Sequence, residues 1–375
     1  MELLPLIKKP TLLLDVNRSR ANLQRMSVKA RNQNVRFRPH FKTHQSAEIG
    51  AWFREEGVHQ ITVSSIDMAY YFAQHGWKDI TIAFPFNWRQ VDEANALAEQ
   101  VHLELLVESV DTVHYLGANL TQPVDIWIKI DVGAHRTGIN WEDVKTVRSI
   151  IAEIMRYPKL HLRGSLTHAG HTYHANNRKD IIEIYQGSLH KLGSIRDQLR
   201  PDGFALEISV GDTPACSLME HLGDVDEIRP GNFIFYDVQQ WMLDCCSEED
   251  IAVAVACPVV AKHPDRKEVV IYGGAIHLSK DYILENGHPC YGQIAFPEDN
   301  GWGSSIPGAY VSALSQEHGI VRFDAGGYER VCIGELLIVL PVHSCLVISA
   351  LPNYLTLQGQ TIEKMSANDC RELSA

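Results

Sequence analysis

The stretch VDIWIKIDVG, Val124 to Gly133, followed by WEDVKTVRSIIAEIMRYP, Trp141 to Pro158, decides the architecture. The first segment reads as a strand apolar on both faces, which suits a parallel sheet covered by helices. The second reads as the amphipathic helix that follows it. The same pairing recurs on either side. HQITVSS precedes IDMAYYFAQHG, DITIAFP precedes NWRQVDEANALAEQ, and HLELLVES precedes VDTVHYLGANL. Further on, LHLRGSLTH leads to RKDIIEIYQGSLHKLGSIRDQL, ALEISVG leads to ACSLMEHLG, and DEIRPGNFIFYD closes the series. TLLLDV with NRSRANLQRMSVKARNQ, and VRFRPHFK with QSAEIGAWFREEG, open it, making about eight or nine units. That count predicts an α/β fold of the (β/α)8 TIM-barrel type rather than an open doubly wound sheet. No GxGxxG follows the first strand, which weakens a dinucleotide-binding reading.

After about Asp244 the texture changes. IAVAVACPVVAKH, EVVIYGGAIHLS, YVSALSQEHGIVRF and LLIVLPVHSCLVIS are short strand-like runs with Gly- and Pro-rich turns between them. The expected organisation is a barrel over residues 12–244 and a smaller, mainly antiparallel β domain over 245–375, with 1–11 a candidate to join the latter.

The composition is that of an ordinary globular chain: 375 residues, 45% hydrophobic and 21% charged. A formal net charge of -12 argues against a general nucleic-acid binder, because such binding rests on many phosphate contacts. No window approaches the ~20 apolar residues of a membrane span, and the opening MELLPLIKKPTLLLDV lacks a signal-peptide layout. Eight cysteines at irregular spacing, Cys216, Cys245, Cys246, Cys257, Cys290, Cys332, Cys345 and Cys370, suggest reduced thiols in a cytoplasmic protein.

Chemistry in a barrel sits at the C-terminal ends of its strands. Four predicted ends carry polar groups: Lys42, His168, the turn Gly211-Asp212-Thr213, and the turn Arg229-Pro230-Gly231. Each alone has a plain reading, as a solvated lysine, a core histidine or simple turn chemistry. Together they suggest a phosphate cradle of backbone N–H groups facing a lysine able to form a Schiff base, and hence pyridoxal phosphate. Alternation along VRFRPHFKTHQ would put His40, Lys42 and His44 on one face of a strand. His343 and Cys345 would likewise share a strand face, either as two inward-facing residues of the β domain or as a pair holding one zinc ion.

RPHFKTH, LTHAGHTY, SVGDTP, EIRPGNFIFYD and PVHSC, in that order, resemble the D-serine dehydratase and D-threonine aldolase family of fold-type III pyridoxal phosphate enzymes, relatives of alanine racemase. The resemblance implies that Lys42 carries the cofactor and that His168 stacks on its ring. It implies that Gly211, Thr213, Gly231 and Asn232 hold the phosphate and that Arg229 faces the pyridine nitrogen, with Tyr173 and Tyr236 as further site residues. His343 and Cys345 would bind a divalent metal, zinc before manganese or magnesium. The implied activity is a lyase reaction on a small D-3-hydroxy amino acid, dehydration of D-serine or D-3-hydroxyaspartate, with aldol cleavage of the D-threonine type or amino-acid racemisation as alternatives. A homodimer is implied, with no nucleic-acid or membrane partner. A non-catalytic pyridoxal phosphate carrier is disfavoured by the second domain.

Overall fold

In the computed structural model, residues 6–299, 301–366 and 369 are described. The chain divides into two compact units, one formed by residues 25–231 with 365–375, the other by 1–24 with 232–364.

The first unit is the barrel. Eight parallel strands run, in spatial order, Arg36–Phe37, Glu227–Ile228, Glu207–Val210, Leu160–Leu166, Val124–Asp131, His102–Val107, Asp79–Pro85 and Ile61–Val63. Each lies beside its neighbour in the chain, as strand–helix repetition requires. The ring closes where His40 forms a parallel bridge to Thr62. There Phe41 N–H donates to Thr62 O at 2.8 Å and Thr62 N–H donates to Pro39 O at 2.9 Å. Helices cover the outside. The helix Val144–Ile154 starts where Asp143 accepts the Thr146 N–H, and it buries Val147, Ile150, Ile151 and Ile154 against the sheet side.

Inside one end of this barrel sits a buried charge network. Arg38, 1% exposed, donates from Nε to Glu227 at 2.7 Å, from Nη2 to Glu104 at 3.1 Å, and from Nη1 to Asp79. These carboxylates come from three different strands, so one guanidinium ties four strands across the interior. Ser209 and Thr81 hydroxyls and the Trp127 indole fill the remaining acceptor sites of Glu227 and Glu104. Burial alone would lower the Arg38 pKa, but Glu227, Glu104 and Asp79 outweigh it and raise it. Around the rim, His102 bridges Asp125 at 3.1 Å and Asp79 at 3.3 Å.

The second unit is an antiparallel sheet. Its strands run Glu268–Tyr272, His318–Phe323, Gly301–Leu314, Gly292–Glu298, Leu336–Pro341 and Val253–His263, and the first pairs back on the last, closing these six into a ring. Thr11–Leu14 extends the sheet, antiparallel to Val253–Ala256 and parallel to Tyr354–Thr356. TLLLDV therefore does not begin the barrel as the sequence reading expected. A fully apolar strand reads alike in either unit, and its partner sits more than two hundred residues away. Contact division falls at Gln24/Arg25 and Gly231/Asn232 rather than at residues 12 and 244. Leu13, Val238, Ile251, Ala254, Ala256, Ala295, Ile338 and Leu340 form this unit's core.

The seven described cysteines are free; Cys370 lies outside the described residues. Among these residues no helix is long and apolar enough to cross a membrane.

Removing Arg38 takes the buried partner from Glu227 and Glu104 and leaves them only the longer pairs to Arg36 at 3.4 Å and Arg163 at 3.8 Å, so Arg38→Met should lower stability by about 3–5 kcal/mol, read by urea unfolding. A loss below about 1 kcal/mol, the range of an exposed pair, would contradict the network's role. His102 gives a pH signature. Its hydrogen bonds to Asp125 and Asp79 raise its pKa from 6.5 to about 10. The stability it adds is full below pH 6.5 and lost as pH rises through about 10. The melting-temperature deficit of His102→Gln should therefore be largest at mildly acid pH and vanish in strong alkali.

Candidate active site

The chain leaves the Arg36–Phe37 strand, passes the His40–Thr62 bridge, and turns over residues 41–44. Lys42 is exposed on that turn. His44 is not on its face. It is fully buried, with its ring 4.3 Å from Phe41 and 5.4 Å from Phe53, and Ser46 N–H donates to its Nδ1 at 3.1 Å. The expected alternation fails because strand geometry ends before Lys42, and a turn sends successive side chains in different directions.

The three strands next in order to Arg36–Phe37 bring other predicted residues to the same mouth. His168 follows the Leu160–Leu166 strand, and its Nδ1 hydrogen-bonds Gly211 O. Burial first, then the Lys42 ammonium, hold its pKa well below 6.5; the same two causes act on His40, joined by Arg229 and Arg136. Both imidazoles are therefore neutral at physiological pH. Tyr173 lies with its ring 6.1 Å from that of His168, and its hydroxyl accepts the Thr213 N–H at 3.2 Å. Thr213 opens a short helix capped by Asp212.

Arg229 is buried. Its Nε donates to Ser209 Oγ at 2.7 Å and its Nη2 to Thr167 O and Ser209 O. Its Nη1 takes no partner among the described residues. Burial lowers its pKa to about 10, which still leaves it charged at neutrality. Two glycines make this packing possible. A Cβ on Gly211 would lie 2.8 Å from the Arg229 backbone, and one on Gly231 would lie 2.8 Å from His40 O and 3.0 Å from Thr43 Oγ1.

Lys129, the basic residue within the apolar strand Val124–Asp131, was not singled out from sequence. Burial, then Arg229 and Arg136, lower its pKa to about 7. Its signal was legible all the same, as a lone lysine in a strand buried on both faces. With Lys42, Arg136 and Arg229, it makes the mouth electropositive.

The remaining predicted residues belong to the other unit. His343 and Cys345 do not lie on a strand. The strand ends at Pro341, His343 caps the helix Ser344–Ala350, and Cys345 is in its first turn. Helical winding still brings the imidazole and thiol into hydrogen-bonding contact. Burial opposes the imidazolium, but Cys345, Asp237 and Asp281 outweigh it and raise the His343 pKa to about 10. Asp237, a buried carboxylate missed by sequence reading, holds the pair's frame: it accepts Ser344 N–H at 3.0 Å and Asn232 Nδ2 at 2.6 Å. The Asn232 amide nitrogen also reaches Ser344 Oγ at 2.9 Å and Cys345 Sγ at 3.8 Å, so this side chain is spent on the pair and not on a phosphate. Tyr236 is buried, with a left-handed backbone at φ 49° that is uncommon outside glycine.

The model for "Alanine racemase, N-terminal domain" matches residues 14–238. The chain belongs to this family. In this alanine racemase-like protein a second model, "Putative serine dehydratase domain", matches residues 252–357. D-threo-3-hydroxyaspartate dehydratase of Delftia sp. (strain HT23) is 28% identical over 372 residues, covering 95% of this chain and 97% of that one. The solved structure of that enzyme superposes with a TM-score of 0.89 at 27% identity, over 98% of this chain and 100% of the other. Solved variants of it carry histidine-to-alanine and cysteine-to-alanine changes two positions apart, the latter in a metal-free form. D-serine dehydratase of Dictyostelium discoideum is 28% identical over 370 residues, covering 89% of each chain. Its relatives being dehydratases, and an aldolase among them, this protein is a lyase of the fold-type III class.

The close approach at Gly231 is testable. Gly231→Ala should cost about 1–3 kcal/mol through overpacking. Gly193→Ala, inside the helix Arg178–Leu199 with nothing within 4 Å of the added carbon, should instead stabilise slightly. Equal effects in thermal melts would contradict the crowding at the mouth.

Proposed function

We propose that this protein is a pyridoxal phosphate- and metal-dependent dehydratase of D-3-hydroxy amino acids, of the D-serine or D-3-hydroxyaspartate type. The observation that carries the reading is the mouth itself: one exposed amine, Lys42, among the buried cations Arg229 and Lys129 and the neutral rings of His40 and His168. Clustered positive charge in a partly desolvated cleft favours an anionic ligand, and a phosphate-bearing aldehyde supplies one. The glycines at 211 and 231 let their turns pack directly on Arg229 and His40, which sets the backbone at this mouth.

Bound pyridoxal phosphate would supply an electron-withdrawing system that makes the substrate's α-hydrogen acidic. Lys42 would hold the cofactor, and its Nζ would accept the α-proton. Arg229, charged at neutrality, would aim its Nη1 donors at the pyridine nitrogen and keep that nitrogen unprotonated. The His168 ring, fixed by Gly211 O, would pack on the cofactor, with Tyr173 and Thr213 on the phosphate side. Asn232 would contribute through its main chain and Tyr236 through its hydroxyl.

The His343 and Cys345 pair fits a soft divalent cation, since an imidazole and a thiol that already touch suit zinc over manganese or magnesium. Such an ion would act as a Lewis acid toward the departing β-hydroxyl. Two protein ligands leave positions open for substrate and water. Aldol cleavage is the second reading, favoured by 24% identity to D-threonine aldolase of Arthrobacter sp.. Assembly as a homodimer and a cytoplasmic location complete the proposal; the free cysteines support the latter.

Lys42→Ala should abolish the visible absorbance of lysine-bound pyridoxal phosphate and all activity. Chelation, or His343→Ala, should remove dehydratase activity and leave that absorbance in place. Activity that survives both would overturn the metal part of the reading and favour a racemase.

A further inference from the structure

Two segments of the antiparallel unit have no role in the reading above: Ala275–Asp281, AIHLSKD, and Gln316–Gly319, QEHG. The structure joins them. Ala275 N–H donates to Ser315 O at 2.8 Å and Ile276 N–H to Gln316 O at 3.3 Å. Gly274 sits so close to this turn that a Cβ would lie 2.3 Å from Gln316 O. The turn thus clamps the short helix Ala275–Leu278, which packs on the helix Ser344–Ala350. The clamped helix ends on Ser279 at φ 66°, ψ -179°, a conformation that non-glycine residues rarely hold. Ser279 Oγ accepts the Asp281 N–H at 3.2 Å, folding the chain back. This places Asp281 Oδ2 2.8 Å from His343 Nδ1, across 62 residues of sequence.

We propose that Asp281 is a positioning residue for metal binding by His343. This rests on the metal reading of the preceding section. A carboxylate on Nδ1 fixes that nitrogen as the protonated one, so the lone pair lies on Nε2, and it also stops the ring from turning. Asp281 is not a third ligand. Among the described residues, the only trio offering ligand atoms within 4.8 Å of one another is Asp79, His102 and Glu104. Two of its members, Asp79 and Glu104, are already paired with Arg38. Because Asp281 is half exposed, its attraction for a charged imidazole counts for little. Its effect is one of orientation and tautomer.

The test is zinc affinity of the holoenzyme by competition with a chromophoric chelator, with the visible spectrum of the cobalt-substituted protein as a second readout. Asp281→Ala should bind zinc about 10–100-fold more weakly, still at one ion per chain when saturated, with a shifted cobalt spectrum. Asp281→Asn keeps an acceptor oxygen for Nδ1–H and should recover part of the loss. Unchanged affinity in Asp281→Ala overturns the proposal alone. Zinc binding abolished at all concentrations in a folded Asp281→Ala also overturns it, making Asp281 a ligand. Should Asp281→Ala fail to fold, Asp281→Asn decides: several-fold weaker binding supports the proposal and wild-type affinity overturns it. Wild-type protein that takes up no zinc, like His343→Ala, overturns the metal reading and the proposal together.

Discussion

Arg38 is a permanent charge with almost no access to water, and the barrel is built around compensating it. Three carboxylates from three strands converge on its guanidinium. Desolvating so many charges is expensive, and only complete pairing makes it tolerable. The arrangement also fixes register. Thr62 Oγ1 donates to Arg38 O at 2.9 Å, and the next residues, Pro39 and His40, make the bridge to Thr62 that closes the ring. The backbone is thus pinned on both sides immediately before the turn that exposes Lys42.

The two ends of the barrel treat charge in opposite ways. At the closed end every cation has its anion, and the network contributes rigidity. At the mouth, burial together with Arg229 and Arg136 pushes the Lys129 amine toward neutrality, and the histidines are held neutral. Clustered positive charge of that kind attracts anions. Glycine at 211 and 231 lets the strand-end turns pack directly on Arg229 and His40, where any side chain would collide.

Much of this was legible in sequence. Alternation of apolar strands and amphipathic helices predicts the barrel, because a parallel strand must be apolar on both faces and must be followed by a crossover. Strand-end logic groups Lys42, His168, Gly211, Thr213 and Arg229, because the C-terminal ends of parallel barrel strands open on one face. What was not legible depends on partners distant in the chain. Thr11–Leu14 pairs with Val253–Ala256, and no local pattern distinguishes that from a barrel strand. His343 and Cys345 are two apart in both a strand and a helix start, so their proximity was foreseeable while its cause, helical winding after Pro341, was not. Asp237 and Asp281 resemble surface acids in sequence; only folding brings them to Ser344 and His343.

The central claim is that an electropositive lysine-bearing mouth, together with a His–Cys metal pair, eliminates water from a D-3-hydroxy amino acid. The most direct measurement is product analysis after incubating the zinc- and pyridoxal phosphate-loaded protein separately with D-serine, D-threo-3-hydroxyaspartate and D-threonine. The account predicts a 2-oxo acid and ammonia in equal amounts from D-serine or D-threo-3-hydroxyaspartate. Glycine and an aldehyde in their place, or the L-enantiomer of the starting amino acid, would contradict it.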